Sequence, residues 1–195
     1  MINSRRETRG LRDSAAVRRW WTPSIVDLRL SWIENTSAAV VVAVTILTWP
    51  MAAMAQQAIV GVANVIDGDT IEIHGARIRF HGIDAPESRQ ECTRPNSATW
   101  RCGQQSALAL AERIGRATIR CLPRDRDRYG RVVAVCSKDG EDLNRWLVRN
   151  GWAVAYRKYS TDYVADEERA KRAKLGIWSG SFEMPWDWRA RETKH

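Results

Sequence analysis

From residue 59 onward, apolar and polar positions alternate in short runs broken by Gly, Asp and Pro, which is the pattern of strands rather than of long helices. Residues 59–66, 70–74 and 77–83 are predicted as three strands, with Asp67-Gly68-Asp69 and Gly75 supplying the turns between them. Ala107, Leu108, Ala111 and Ile114 recur at helical spacing and predict an amphipathic helix over 104–115. Two further strands, 118–122 and 131–136, flank a charged loop at 123–130. A helix over 141–150, with Leu143, Trp146 and Leu147 inward, ends at Gly151, and another over 162–175 ends at Gly176.

Three strands, a helix, two strands and further helices suit a mainly β domain: a five-stranded closed barrel of the OB type plus three α-helices. The sheet surface and loops of such barrels receive nucleic acid. The first 55 residues follow different rules. Residues 1–36 carry seven Arg against four acids and show no sustained apolar period. An apolar run then extends from Ala38 to Trp49, Pro50 follows, and Ala53 and Ala55 put small residues where a signal peptidase cuts. Residues 1–55 are therefore expected to be an Arg-rich flank and signal peptide cleaved before Gln56, and 56–195 the folded domain with a Trp-rich tail at 177–195. The alternative for 38–55 is an uncleaved membrane anchor. The protein is expected to be exported, periplasmic or secreted, with membrane attachment only if the anchor is retained.

Composition sharpens this picture. Of 195 residues, 44% are hydrophobic and 28% charged, which excludes a disordered chain and an all-membrane one. The net charge of +8 favours an anionic partner. Residues 1–55 hold seven of the 31 Lys plus Arg and four of the 23 Asp plus Glu, so the expected mature part retains a net +5.

Four motifs in order then carry a specific resemblance: Val65-Ile66-Asp67-Gly68-Asp69-Thr70, Arg79 through Asp84-Ala85-Pro86-Glu87, Asp127-Arg128-Tyr129-Gly130-Arg131, and Gly176-Ile177-Trp178. With the strands predicted between them, the chain over residues 59–178 resembles the staphylococcal-nuclease (thermonuclease) family. The resemblance implies an OB-fold barrel with three helices and a calcium-dependent phosphodiesterase of DNA and RNA. It also implies little sequence preference and 3′-phosphate products. The backbone carbonyl of Ala85, where the family's best-known member has Thr, would join the ligands of Ca²⁺. Tyr129 and Tyr156 match positions that contact the nucleotide.

The residues support a compatible reading on their own chemistry. Asp69 opens the second strand and Asp84 ends the third, so two carboxylates from neighbouring strand ends can converge on one hard cation, Ca²⁺ or Mg²⁺. No Cys-x-x-Cys or His cluster competes for zinc. Asp67 is read as turn chemistry. Glu87, stiffened by Pro86, can orient or deprotonate a water. Arg79 and Arg131 offer planar guanidiniums to the charge that builds on phosphoryl oxygens. Arg79 lies five residues before Asp84, an odd separation that would place them on opposite faces of a regular strand, so a bend near Gly82 is required.

Cys92 and Cys102 bracket a short loop after the Glu87 turn, and Cys121 and Cys136 lie on strands either side of the charged hairpin. Pairing within each set is the simplest of three connectivities, and an antiparallel register would set 121 opposite 136. Trp178, Trp186 and Trp188 are read as a tail folded over the barrel, with base stacking as the other use. The three His are assigned no role, and Lys171, Arg172 and Lys174 a solvated helix face. A monomer with no obligate protein partner is expected. The competing function is a non-catalytic OB module that binds nucleic acid.

Overall fold

Two short segments that follow each other in the chain mark the two edges of the main sheet, and this closes it. The computed structural model describes residues 57–194; the signal-peptide and anchor readings of residues 1–55 lie outside them. The sheet contains β1 (Ile59–Val62), β2 (Asn64–Val65), β3 (Thr70–Ile73), β4 (Ala76–Phe80), β8 (Thr118–Arg126), β9 (Val132–Lys138) and β10 (Glu141–Asp142). Its order is β1-β8-β9-β4-β3-β2, with β10 on β9. Only the buried Ala63 separates β1 from β2, so a sheet with these two at opposite edges must curl into a nearly closed barrel. All its pairs are antiparallel except β4 with β9. Two small ladders stand apart: β5 (Ile83–Asp84) with β11 (Val154–Ala155), and β6 (Cys92–Thr93) with β7 (Thr99–Trp100). The architecture is the OB-type barrel with helices that the pattern predicts.

The differences from the predicted elements have local causes. The strand expected over 59–66 changes sheet edge at Ala63. The strand expected over 77–83 stops at Phe80, because His81-Gly82 turns the chain. Gly82 has φ of +73°, and a Cβ there would lie 2.8 Å from Ser160 Cβ, so both backbone and space call for glycine. Four α-helices form among the described residues rather than three: α1 (Cys102–Ile114), α2 (Leu143–Arg149), α3 (Val164–Arg172) and α4 (Pro185–Glu192). A 3₁₀ turn spans Gly176–Ser179. The fourth helix lies in the Trp-rich tail, where Pro185 occupies the first turn that tolerates proline.

In α1 the buried stripe is Gly103, Ser106, Leu110 and Ile114, rotated from the predicted face, and Leu108 is exposed. Ser106 tolerates burial because its hydroxyl donates to the Trp152 carbonyl at 2.7 Å. In α2, Trp146 is only half-buried while Asn144 is fully buried beside Leu143, Leu147 and Val148. Asn144 accepts from the Cys136 N–H at 3.1 Å and donates to the His81 carbonyl at 2.9 Å, tying α2 to β9 and to the turn before β5.

The barrel core is built on Phe80, Ile71, Ile73, Ile78, Ile83, Leu110, Ile119 and Leu147, each stabilising the fold by about 1.5–3 kcal/mol. A second cluster gathers Cys92, Cys102, Val154 and Ile177 under Trp100, Trp178, Phe182, Met184 and Trp186. The tail thus folds back on the domain. Both expected disulfides are present, Cys92–Cys102 inside this second cluster and Cys121–Cys136 across directly paired positions of β8 and β9. No described helix is long and apolar enough to cross a membrane.

Truncating Asn144 to Ala would leave the Cys136 N–H and His81 carbonyl unpaired in the core. The expected loss is about 2–4 kcal/mol of unfolding free energy, read from denaturant melts. Non-reducing peptide mapping is expected to recover the 92–102 and 121–136 pairs. Replacing Cys121 and Cys136 together by Ala should cost about 2–4 kcal/mol in the same melts.

Candidate active site

Asp69 reaches its position through a tight turn. Its own N–H donates to Asp67 Oδ1 at 3.0 Å, and the Ile66 N–H donates to the Thr70 carbonyl at 2.9 Å, so the carboxylate is delivered at the first residue before β3. Asp69 is buried, and both of its oxygens are used. Oδ2 accepts the Ala85 N–H at 2.9 Å, and Oδ1 accepts Arg79 Nη1 at 3.0 Å and the Thr70 hydroxyl at 3.1 Å.

Asp84 has no exposed surface and sits on β5, opposite Val154 of β11. The turn at Gly82 resolves the parity problem posed by a sequence separation of five. Because β4 ends at Phe80 and β5 pairs elsewhere, Arg79 and Asp84 face the same space, and Arg79 Nη2 donates to Asp84 Oδ1 at 2.5 Å. Arg79 is therefore a bridge between the two carboxylates.

Glu87 lies just beyond. Its carbonyl is capped by the Gln90 N–H at 2.7 Å and its N–H donates to Gln90 Oε1 at 3.2 Å. Gly103 of α1 presses on this loop so closely that a Cβ would stand 1.7 Å from the Glu87 carbonyl oxygen. Any larger residue at 103 would displace the Glu87 loop.

A residue that the motif reading leaves out completes the cluster. Arg189 of α4 donates from Nη1 to Asp84 Oδ1 at 3.0 Å and from Nη2 to Asp84 Oδ2 at 2.8 Å. Its Nη1 also donates to Glu87 Oε1 at 2.6 Å. One turn earlier on the same helix, Trp186 stacks on Tyr156 with ring centroids 5.1 Å apart and planes 14° off parallel. Pro185 followed by Trp186 and Arg189 at i and i+3 is a helix-face signal in the sequence, which the reading of a Trp-rich tail folded over the barrel leaves unused.

Arg131 and Tyr129 lie at the tip of the β8–β9 hairpin, just before the residues of β9 that pair with Ile78 and Arg79 of β4. Arg131 Nε donates to Asp127 Oδ2 at 2.7 Å, and its guanidinium lies 5.6 Å from the Tyr129 ring centre. Tyr129 is largely exposed. The structure thus gathers Asp69, Arg79, Asp84, Ala85 and Glu87, sets Tyr156 nearby through its N–H to the Gly82 carbonyl at 2.9 Å, and leaves Arg131 paired with Asp127.

Electrostatics follow from this packing. Burial, helped by the neighbouring Asp69, pushes the Asp67 carboxyl up to about 7. Burial also raises Asp84 above the usual range against the pull of Arg189 and Arg79. For Arg189, burial works to lower the value, but the bonds to Asp84 and Glu87 outweigh it, so the guanidinium is held more firmly charged than usual. At the hairpin, burial opposes and the Arg131 hydrogen bonds prevail, holding Asp127 below the ordinary carboxylate range.

Four carboxyl groups (Asp67, Asp69, Asp84 and Glu87) thus face two guanidiniums, a local surplus of acid that all-oxygen donors would share with a hard divalent cation. Asp69, Asp84 and the adjacent Ala85 carbonyl fit such an ion. No three acidic, His or Cys side chains form a ready cage among the described residues, because the two guanidiniums lie between the carboxylates. A shallow hollow of about 390 Å³ along α2, lined by Glu141, Asp142, Arg145, Trp146, Arg149 and Asn150, is separate from this cluster.

Several known proteins are similar to this chain over two thirds or more of its length. A protein of Rhizobium meliloti named Succinoglycan biosynthesis protein ExoI is 40% identical over 156 residues, 77% of this chain and 79% of its own. An Escherichia coli protein named only as an uncharacterised endonuclease is 36% identical over 139 residues, covering 67% of this chain and 84% of its own. A Micrococcal nuclease of Shigella flexneri is 30% identical over 178 residues, 82% of this chain and 93% of its own. The family model described as Staphylococcal nuclease homologue matches residues 77–180, a span that runs from Arg79 through Asp84, Glu87 and Arg131 to the 3₁₀ turn, and the chain belongs to that family.

Proposed function

We propose that the protein is a calcium-dependent nuclease that hydrolyses phosphodiester bonds of DNA and RNA with little sequence preference and leaves 3′-phosphate ends. The observation that carries this reading is the Arg79 fork between two buried carboxylates, Asp69 and Asp84, with Glu87 beside them. Membership of the nuclease family and the likeness to a Micrococcal nuclease support it. Calcium held by Asp69, Asp84 and the Ala85 carbonyl would supply positive charge to the phosphoryl oxygens.

The chain's own residues do the rest. Glu87 positions a water and takes its proton as the water oxygen bonds to phosphorus; the P–O5′ bond breaks and the 5′-oxygen leaves with a proton from solvent. Arg79, already aimed into the site, donates to the charge that accumulates on the phosphoryl oxygens. Arg131 joins by exchanging Asp127 for phosphate, a side-chain swing available to a residue near a hairpin tip. Tyr129 and Tyr156 line the nucleotide's path, and the exposed Arg124, Arg126 and Arg128 lead a polyanion toward it.

The same reading places the mature enzyme outside the cytoplasm as a monomer. Two disulfides suit an oxidising compartment, and the Arg-rich flank with its apolar run supplies the export signal. N-terminal sequencing of the exported protein is expected to begin at Gln56; a start at residue 1 would leave an anchored form.

Plasmid DNA is expected to be nicked and then degraded with calcium and to survive with chelator. Survival in both, with retention on a filter, would favour a binding module instead. Glu87→Gln should lower kcat by about 100-fold or more with a folded protein and little change in DNA binding. Full calcium-dependent activity in that variant would remove Glu87 from the mechanism.

A further inference from the structure

Arg189 occupies the ground that a cation needs. Asp84 offers about four lone-pair positions, and three are already taken, one by Arg79 and two by Arg189. Glu87, beside them, also gives an oxygen to Arg189. A divalent ion placed on Asp84 would stand within a few ångströms of two guanidiniums, and like charges at that distance in a buried site repel strongly.

One of the two arginines must therefore yield, and their settings differ. Arg79 is a residue of β4, paired with Thr70 of β3 and Val133 of β9 on its two sides, and its side chain is 17% exposed. Arg189 rides on an eight-residue helix of which only Pro185 is buried, and its side chain is 35% exposed. The strand that carries Arg79 is paired on both sides, so Arg79 can yield only by a side-chain swing. Moving Arg189 requires only that α4 lift.

The attachment of α4 is local. The chain before it is tied down by the Thr93–Ser181 bridge and by Gln90 Nε2 donating to the Glu183 carbonyl at 2.6 Å. From that anchored point, α4 itself is held at its start by the buried Pro185 and by Trp186, which packs on the second apolar cluster and stacks on Tyr156, and one turn on by the three Arg189 bonds. The helix covers, in one stroke, the carboxylate of Asp84, the carboxylate of Glu87 and one face of Tyr156.

We propose that Arg189 is a further residue of the site, a resident counter-cation that holds Asp84 and Glu87 when calcium is absent and sets calcium affinity by competing for them, with α4 as the strap that carries it. The proposal rests on the calcium reading given above. Arg189 contributes here as a competitor and positioning group rather than as a donor to the phosphate, because it grips both oxygens of Asp84 and one of Glu87, whereas Arg79 gives each of its two carboxylates a single bond. Calcium binding then lifts α4 from a hinge after Glu183, freeing Glu87 for water and Tyr156 for a nucleotide. The apparent dissociation constant carries the cost of that lifting.

The test is calorimetric titration of calcium alone, without nucleic acid, into the folded chain with its disulfides intact. Arg189→Ala is expected to bind calcium about tenfold more tightly than the unaltered protein. Trp186→Ala, which loosens the strap without touching any carboxylate, should tighten binding by a smaller factor. In parallel, trypsin is expected to cut after Arg189 and Arg191 faster when calcium is present than in chelator.

If the unaltered protein binds calcium and both variants bind it equally or more weakly, the competing role is wrong and the calcium reading stands. If neither the unaltered protein nor Arg189→Ala binds calcium at all, both fall together. Should Arg189→Ala not fold, the Trp186→Ala titration and the protease comparison decide, and unchanged affinity with unchanged cleavage overturns the proposal.

Discussion

Two carboxylates with no access to water are held within reach of one another, and much of the site is arranged around that constraint. An isolated buried carboxylate is costly, and Asp69 and Asp84 remain together because Arg79 bridges them. Arg79 can do so only because β4 ends at Phe80 and the chain turns at Gly82 before Asp84. That turn is braced on three sides: Tyr163 and Ser160 close against Gly82, Asn144 holds the His81 carbonyl, and Tyr156 donates to the Gly82 carbonyl. The barrel interior, α2 and the segment after β11 thus converge on one bend, and core packing and the candidate chemistry are the same problem at that point.

What the sequence made legible followed from local rules. Strand alternation, the Asp-Gly-Asp turn and the Cys121–Cys136 register are short-range, and they appear in the structure where expected. The parity of Arg79 and Asp84 by itself requires the bend found at Gly82. The face of α1 was misplaced because hydrophobicity alone ranks Leu108 above Ser106, whereas a hydrogen bond to the Trp152 carbonyl decides the matter. Asn144 was illegible for the same reason: a buried amide is justified by partners 8 and 63 positions away. Arg189 lies 105 positions from Asp84, and no periodicity links them. Its helix was nonetheless readable in outline from Pro185 and the i, i+3 spacing of Trp186 and Arg189.

The disulfides and the second apolar cluster have a related purpose. The Cys92–Cys102 bond joins the strand that bridges Ser181 to the start of α1, and α1 in turn presses Gly103 on the Glu87 loop. Glu87 is therefore located by a covalent link and a steric contact rather than by its own burial. This leaves its carboxylate half-exposed and able to change partners. In the proposed mechanism, where Glu87 exchanges Arg189 for a water, such a setting is what the group needs: fixed backbone, movable side chain.

Charge is distributed to match. The described domain is basic as a whole, yet its centre holds four carboxyl groups against two guanidiniums. A polyanion drawn in by the arginines of the 124–128 strand end would meet repulsion at the centre unless positive charge is added there. Asp67, pushed up to about 7, reports the same imbalance from the protein side. Two sources of compensation are available, an external cation or Arg189, and they compete for Asp84, where three of about four lone-pair positions are already taken and like charges repel. A phosphate could use the first, because a cation retains open coordination positions, whereas Arg189 would reach it only after giving up its bonds to Asp84 and Glu87. On the proposed reading, the acid surplus is what favours a cation-bearing state over the arginine-bound one.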